Sequence, residues 1–217
     1  MSTLKKQLFE QLAKISQCLA SPQRIELLDY LAQAERTVEE LSRLSGLTFA
    51  NASRHLQVLK QDGLVLVKKQ GKQRIYQIAG PDVVLLVQAL RRTAETHLAE
   101  MDRLKAGFDS VESPSEEISR QRLLSHLEDE AFMLVDVRPE KEFSEGHIQG
   151  AINIPPERIE QAVADLPDGK TLVAYCRGPY CVYSYQLLEA LRKKGRTAYR
   201  LEEGFPEWKA EGLPWSS

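Results

Sequence analysis

Cysteine is scarce in this 217-residue chain: Cys18, Cys176 and Cys181 are all there is. So small and odd a number builds no disulfide framework. It points to a reducing, cytoplasmic setting in which thiol chemistry is transient or catalytic. Long apolar runs are missing too. None exceeds six residues, where a membrane span needs about 20. The opening MSTLKKQLFEQLAKI has no apolar core ahead of a small-residue cleavage site, so it does not read as a secretory signal. Low-complexity segments and internal repeats are absent, and the four histidines are scattered. Nothing in the chain asks for a resident metal or a cofactor.

What is present is unevenly distributed. Residues 1–110 hold 16 Lys+Arg against 12 Asp+Glu, and residues 111–217 hold 13 against 19, although the chain as a whole is only −2. A basic half beside an acidic half implies two domains with different partners. The stretch GFDSVESPSEE (107–117) combines glycine, serine, proline and acids, the composition of a connector. The reading is therefore a first domain over 1–106, whose modest basic surplus permits nucleic-acid binding without establishing it, a linker over 107–116 and a second domain over 117–217.

In the first half, Leu4, Leu8, Leu12, Ile15 and Leu19 have the spacing of one helix face. A second helix follows, with Ser21 as N-cap and Pro22 at its first position. TVEELSRLSG opens on a capping box, Thr37 and Glu40, and stops at Gly46; TFANASRHLQVLKQDG runs from Thr48 to Gly63. LVLVKKQGKQRIYQIAG then alternates about Gln70 and Gly71, a hairpin. Two short helices, a glycine turn and a hairpin make a mainly α winged helix-turn-helix. Asn51, Ser53, Arg54 and His55, near the start of its second helix, are placed to read base edges and phosphates. Lys68, Lys69, Lys72 and Arg74 on the hairpin suit backbone contact in an adjacent groove. Val83, Val87, Leu90, Ala94, His97, Met101 and Leu104 keep heptad spacing, which predicts one continuous dimerisation helix.

The stretch TVEELSRLSGLTFANASRHLQVLKQDGLVLVKKQGKQRIYQI resembles the core of the ArsR/SmtB regulators over about residues 10–105. The resemblance implies a homodimeric repressor on a double-stranded, palindromic DNA operator. The inducer positions of that family are blank here. Thr37-Val38-Glu39 stands where arsenic and cadmium sensors carry cysteines. HLAE supplies His97 and Glu100, but DVV (82–84) lacks the histidine of the zinc site, so His97 reads as a seam residue. Cys18, beside an apolar stripe, reads as a small buried residue.

The second half alternates helix (about 116–129), strand (FMLVDV), strand (TLVAY), helix (about 182–194), strand (TAYRL) and a short terminal helix. That order predicts an α/β domain with a parallel sheet. LVDVRPEKEFSEGHIQGAINIP, LVAYCRGPYC and LEEGFPEWKAEGLPW occur in the order found in a single-domain rhodanese, which this half resembles. Glu203 stands where many members have a second glycine. The resemblance implies a persulfide carried on Cys176, taken from a sulfane-sulfur donor such as thiosulfate or polysulfide and passed to a thiol acceptor.

The chemistry follows independently of the resemblance. A loop between a parallel strand and a helix gathers backbone N–H groups and the positive end of the helix. Cys176 there is expected to be a thiolate near neutral pH, with Arg177 adding a cation and Gly178, Pro179 and Tyr180 completing a tight turn. Asp136 and Arg138 are expected to support the loop from the neighbouring strand end. The sixth residue after Cys176 is Val182, where phosphate- and arsenate-handling relatives have arginine, so those chemistries are disfavoured. Cys181 has three open roles: a resolving thiol, half of a two-thiol site for arsenite or a soft metal, or a packing residue. His126 and His147 read as structural.

Overall fold

The computed structural model describes residues 3–109 and 116–217, with the side chains of 107–109 and 116 left out. Most of the expected linker therefore lies outside the described residues. By contacts the chain divides into two compact units, the first ending at Val87 and the second running from Gln88 to Ser217.

The first unit begins with α1 (Thr3–Leu19), α2 (Pro22–Gln33), β1 (Arg36–Thr37), α3 (Val38–Ser45) and α4 (Phe49–Gln61). It continues with β2 (Val65–Gln70) and β3 (Gln73–Ile78), and α5 (Pro81–His97) starts within it. The capping box forms as the sequence predicts: Glu40 N–H donates to Thr37 Oγ1 at 3.2 Å, and Thr37 N–H donates to Glu40 Oε2 at 2.8 Å. Gly46 takes the left-handed conformation that stops α3. Thr48 Oγ1 caps α4 by accepting from Asn51 N–H. Ser21 precedes α2, but its hydroxyl donates to Gln23 Oε1 instead of capping the helix. The wing is an antiparallel pair in which Gln70 faces Gln73 across Gly71, whose φ of +60° suits a tight hairpin turn. Strand β1 joins its other edge, giving the order β1-β3-β2. Leu27, Leu41, Leu56 and Leu59 are fully buried in a core that also takes Cys18, Val83 and Val87.

Two expectations about the heptad segment are corrected. It is two helices, α5 and α6 (Ala99–Asp109), interrupted at Leu98. Leu98 N–H closes α5 on Ala94 O, while Leu98 O accepts from Met101 N–H as a new helix opens. Glu100 and Asp102 in its first turn favour a helix start there. Nor is the seam a set of seven free positions. Val83 and Val87 are buried within their own unit, His97 is exposed, and Leu90 and Leu104 are 42% and 58% exposed.

The second unit contains β4 (Glu116–Ile118), α7 (Arg120–Leu124), β5 (Phe132–Asp136), α8 (Glu140–Glu145), β6 (His147–Ile148) and β7 (Ile152–Asn153). A 3₁₀ turn (Pro156–Arg158), α9 (Ile159–Asp165), β8 (Thr171–Tyr175), α10 (Val182–Lys193), β9 (Ala198–Leu201), α11 (Phe205–Ala210) and β10 (Trp215–Ser216) complete it. The single helix expected over 116–129 is replaced by β4 and the five-residue α7. Glu116–Ile118 extends the sheet as a parallel partner of β9. All five strands of that sheet, in the order β4-β9-β8-β5-β7, are parallel. Strands buried on both faces read as unbroken apolar runs, and Leu172–Cys176 is one. Leu172, Ala174 and Cys176 pack on one face with α9 and α10, and Val173 and Tyr175 on the other with Phe205 and Trp208. Among the described residues no helix is long and apolar enough to cross a membrane.

Candidate functional site

Residues 176–181 link the C-terminal end of β8 to the start of α10. Cys176 is 2% exposed and its sulfur is bonded to that of Cys181, with the two Cα atoms 6.1 Å apart. The expected accessible thiolate is thus a closed disulfide in this structure. Cys181 N–H donates to Gly178 O at 3.2 Å, folding the intervening residues into a turn.

One end of the loop is firmly held. Arg177 makes a bidentate ion pair with Glu142, Nε at 2.9 Å and Nη2 at 2.6 Å, and Glu142 is 1% exposed. Cys176 O accepts from Phe205 N–H at 3.2 Å. Gly204 lies so close that a Cβ on it would fall 2.1 Å from Arg177 O. Beneath, Asp136 and Arg138 form a fully buried pair, Nη2 to Oδ2 at 2.7 Å, and Arg138 Nη2 also donates to Gly146 O at 2.6 Å. The Arg138 guanidinium faces the Phe205 ring at 4.3 Å. Asn153 Nδ2 donates to both Asp136 O and Arg138 O. Tyr175 hydroxyl accepts from Ile148 N–H at 3.0 Å; burial first, then the Asp136 charge, drives its pKa upward. Asp136 and Arg138 therefore brace the end of β5 and the aromatic floor, not the loop sulfurs directly.

The other end meets α5. Tyr180 hydroxyl donates to Glu95 Oε1 at 2.6 Å, and the Arg91 guanidinium lies 5.4 Å from the Tyr180 ring. Burial, followed by the bond to Glu95, pushes the Tyr180 pKa up. Arg91 Nη1 pairs with the buried Glu207 at 2.9 Å, and Gln88 Nε2 donates to Glu203 Oε1 at 2.9 Å. Glu203 is further paired with Arg120 at 3.0 Å, and burial raises its pKa. Sequence reasoning placed Glu142, Gly204 and Glu207 within family motifs without a role, and missed Glu95 and Arg91. Their partners are 35 to 116 residues away, and no local pattern encodes them. His147 stacks on Phe143 at 3.8 Å, and its Nδ1 lies 3.0 Å from Phe143 O.

In the first unit, Asn51 and Arg54 are exposed on α4, with Ser53 and His55 half-buried. Burial lowers the His55 pKa, assisted by the Arg24 and Arg54 charges, so at neutral pH the ring is an uncharged donor and acceptor. Lys69, Lys72 and Arg74 are exposed on the wing. Lys68 is exposed too, but pairs with Glu35 at 2.5 Å, which leaves it less available to a phosphate.

A helix-turn-helix with a wing, followed by a parallel α/β domain with a cysteine loop, defines a DNA-binding regulator joined to a rhodanese-like domain. Family models agree: "Bacterial regulatory protein, arsR family" matches residues 21–67, and "Rhodanese-like domain" matches residues 119–211. The HTH-type transcriptional regulator Rv0324 of Mycobacterium tuberculosis is 40% identical over 213 residues, covering 98% of this chain and 93% of that protein. A sulfurtransferase of Allochromatium vinosum is 32% identical over 100 residues, covering 45% of this chain and 92% of that protein. A solution structure of a homodimeric winged helix-turn-helix domain from Mycobacterium bovis is 38% identical, covering 46% of this chain and 93% of that one, with a TM-score of 0.43. The chain belongs to the arsR-family HTH-type transcriptional regulators that carry a rhodanese-like domain.

Proposed function

We propose that this protein is a dimeric repressor whose rhodanese-like domain takes up sulfane sulfur on Cys176 and passes that state on as a change in DNA affinity. The observation that carries the reading is the bonded pair Cys176–Cys181 in the β8–α10 loop. In the thiol form, Cys176 thiolate attacks the outer sulfur of thiosulfate. A Cys176 sulfur–sulfur bond forms, the donor's own bond breaks, and sulfite leaves with the electron pair. Cys181 thiolate then attacks the inner sulfur of the persulfide. The disulfide forms, the sulfane sulfur departs reduced to hydrosulfide, and an added thiol reductant reopens the ring. An external thiol acceptor attacking the outer sulfur instead makes the same loop a sulfurtransferase. A self-partner is supported by the exposed stripe Leu4, Leu8 and Leu12 on α1 and by Leu90 on α5, surfaces that a second copy would cover.

The test is intact mass and operator binding before and after polysulfide treatment at fixed salt. One added sulfur, or the loss of two hydrogens for the disulfide, should accompany a several-fold change in affinity. Cys176→Ser should do neither, because an alcohol there is not ionised near neutral pH. Confirmed modification with equal affinity would leave a sulfurtransferase whose DNA-binding half is not under sulfur control.

For the DNA interface, Arg54→Ala should cost roughly 1–3 kcal/mol on the operator if it reads a base. Lys72→Ala should weaken binding to all sequences and lower the salt slope by about one. A salt titration of both variants separates these outcomes, and an unchanged slope for Lys72→Ala would remove the wing from the interface.

A further inference from the structure

The two ends of the 176–181 loop are anchored to different things. At the Cys176 end everything resists movement: the strand end of β8, the Phe205 N–H bond to Cys176 O, the close approach of Gly204, and Arg177 clamped by buried Glu142. At the Cys181 end Tyr180 is fixed by its hydroxyl on Glu95 of α5 and by the Arg91 face. When the ring opens, the two sulfurs must separate to van der Waals contact. The clamped end cannot take up that movement, so Tyr180 and Cys181 must. A cavity of about 390 Å³ borders Pro179 and Tyr180, which gives the released segment room. Three of the ion pairs around it, Arg91–Glu207, Lys105–Glu95 and Arg200–Glu117, join groups within its lining.

We infer that Tyr180 reports the sulfur state of the loop to α5 through Glu95, the closed disulfide being the docked state and the open loop the released one. This rests on the reading that Cys176 and Cys181 cycle between open and closed forms. It places the point of control at residues 88–97 of α5. A helix whose one face gains or loses a hydrogen-bonded anchor changes its local opening equilibrium, and α5 is the helix that also supplies Val83 and Val87 to the first unit's core.

Amide hydrogen exchange of the full chain tests this, comparing diamide-oxidised with dithiothreitol-reduced protein. Diamide closes the disulfide without any sulfur donor, so the result does not depend on whether Cys176 accepts sulfane sulfur. Amides of 88–97 should exchange several-fold more slowly in the oxidised form. Glu95→Ala, a change at a half-buried helix position to a good helix former, should bring the oxidised form to the reduced rate. It should also abolish any difference in operator affinity between the two forms, while diamide still closes the Cys176–Cys181 disulfide by mass. Tyr180→Phe should behave alike. Equal exchange in both wild-type forms, a difference that survives Glu95→Ala, or failure of the ring to close under diamide would each overturn the inference.

Discussion

Arg138→Met should destabilise the second unit by about 3–5 kcal/mol, the range for stranding one partner of a buried ion pair. Arg138 and Asp136 are both fully buried, and Asp136 accepts from Arg138 Nε, Nη2 and backbone N–H at 3.1, 2.7 and 2.8 Å. Methionine is apolar and roughly fills the space, so the loss is chiefly electrostatic. The carboxylate keeps the backbone N–H but has no cation, and Gly146 O loses its 2.6 Å donor. Both tryptophans, Trp208 and Trp215, lie in this unit, so their fluorescence during denaturation follows it separately from the first. Adding Asp136→Asn removes the stranded charge and should recover part of the stability. A single variant within about 1 kcal/mol of wild type would mean that the pair contributes little beyond packing.

That pair was legible in the sequence as two residues of a motif, but not as a brace beneath an aromatic floor. The difference shows what kinds of information the chain carries locally. Caps and turns are decided by a few neighbouring atoms, so Thr37, Gly46, Thr48 and Gly71 could be read directly. The buried parallel strands β5 and β8 announce themselves as apolar runs, and β9, interrupted by Arg200, is placed by the alternation of helices and strands. Spacing alone misled at 83–104, since a heptad count cannot register a one-residue interruption at Leu98, nor say whether Val83 and Val87 face a partner or their own core. It misled again at 116–129, where Glu116–Ile118 is too short to show alternation and owes its strand form to β9. Within the loop, residue types pointed to sulfur chemistry, yet the clamp by Glu142, the close approach of Gly204 and the bond to Glu95 arise from chain crossings. Those depend on the tertiary fold, and no spacing rule contains them.

Gly204→Ala should reduce the rate of persulfide formation on Cys176 by on the order of 100-fold, the penalty that a misplacement of about 1 Å can impose on a reacting group. The backbone of Gly204 is not the obstacle, for its φ of −100° is open to any residue. The obstacle is what lies opposite. The added Cβ would sit 2.1 Å from Arg177 O, 2.4 Å from Arg177 C and 2.7 Å from Gly178 N, all backbone atoms that no rotamer change can move aside. Retreat of Arg177 is opposed by its two bonds to Glu142, which is buried in turn. Retreat of Gly204 breaks the Phe205 N–H bond to Cys176 O and the bond from Gly204 N–H to Glu207 Oε2. Either way the Cys176 carbonyl, and the sulfur positioned by the same residue, must shift. Single-turnover reaction with thiosulfate or polysulfide, followed by intact mass, measures the loss. Glu203→Gly, next to it, introduces no new atom at the loop and should leave that rate much closer to wild type. Non-specific DNA binding by the Gly204→Ala protein should remain, because α4 and the wing belong to the first unit and fold around their own core. A wild-type rate of persulfide formation in Gly204→Ala would mean that the loop can move freely at its Cys176 end, and the clamp assigned to Glu142 and Gly204 would have to be abandoned.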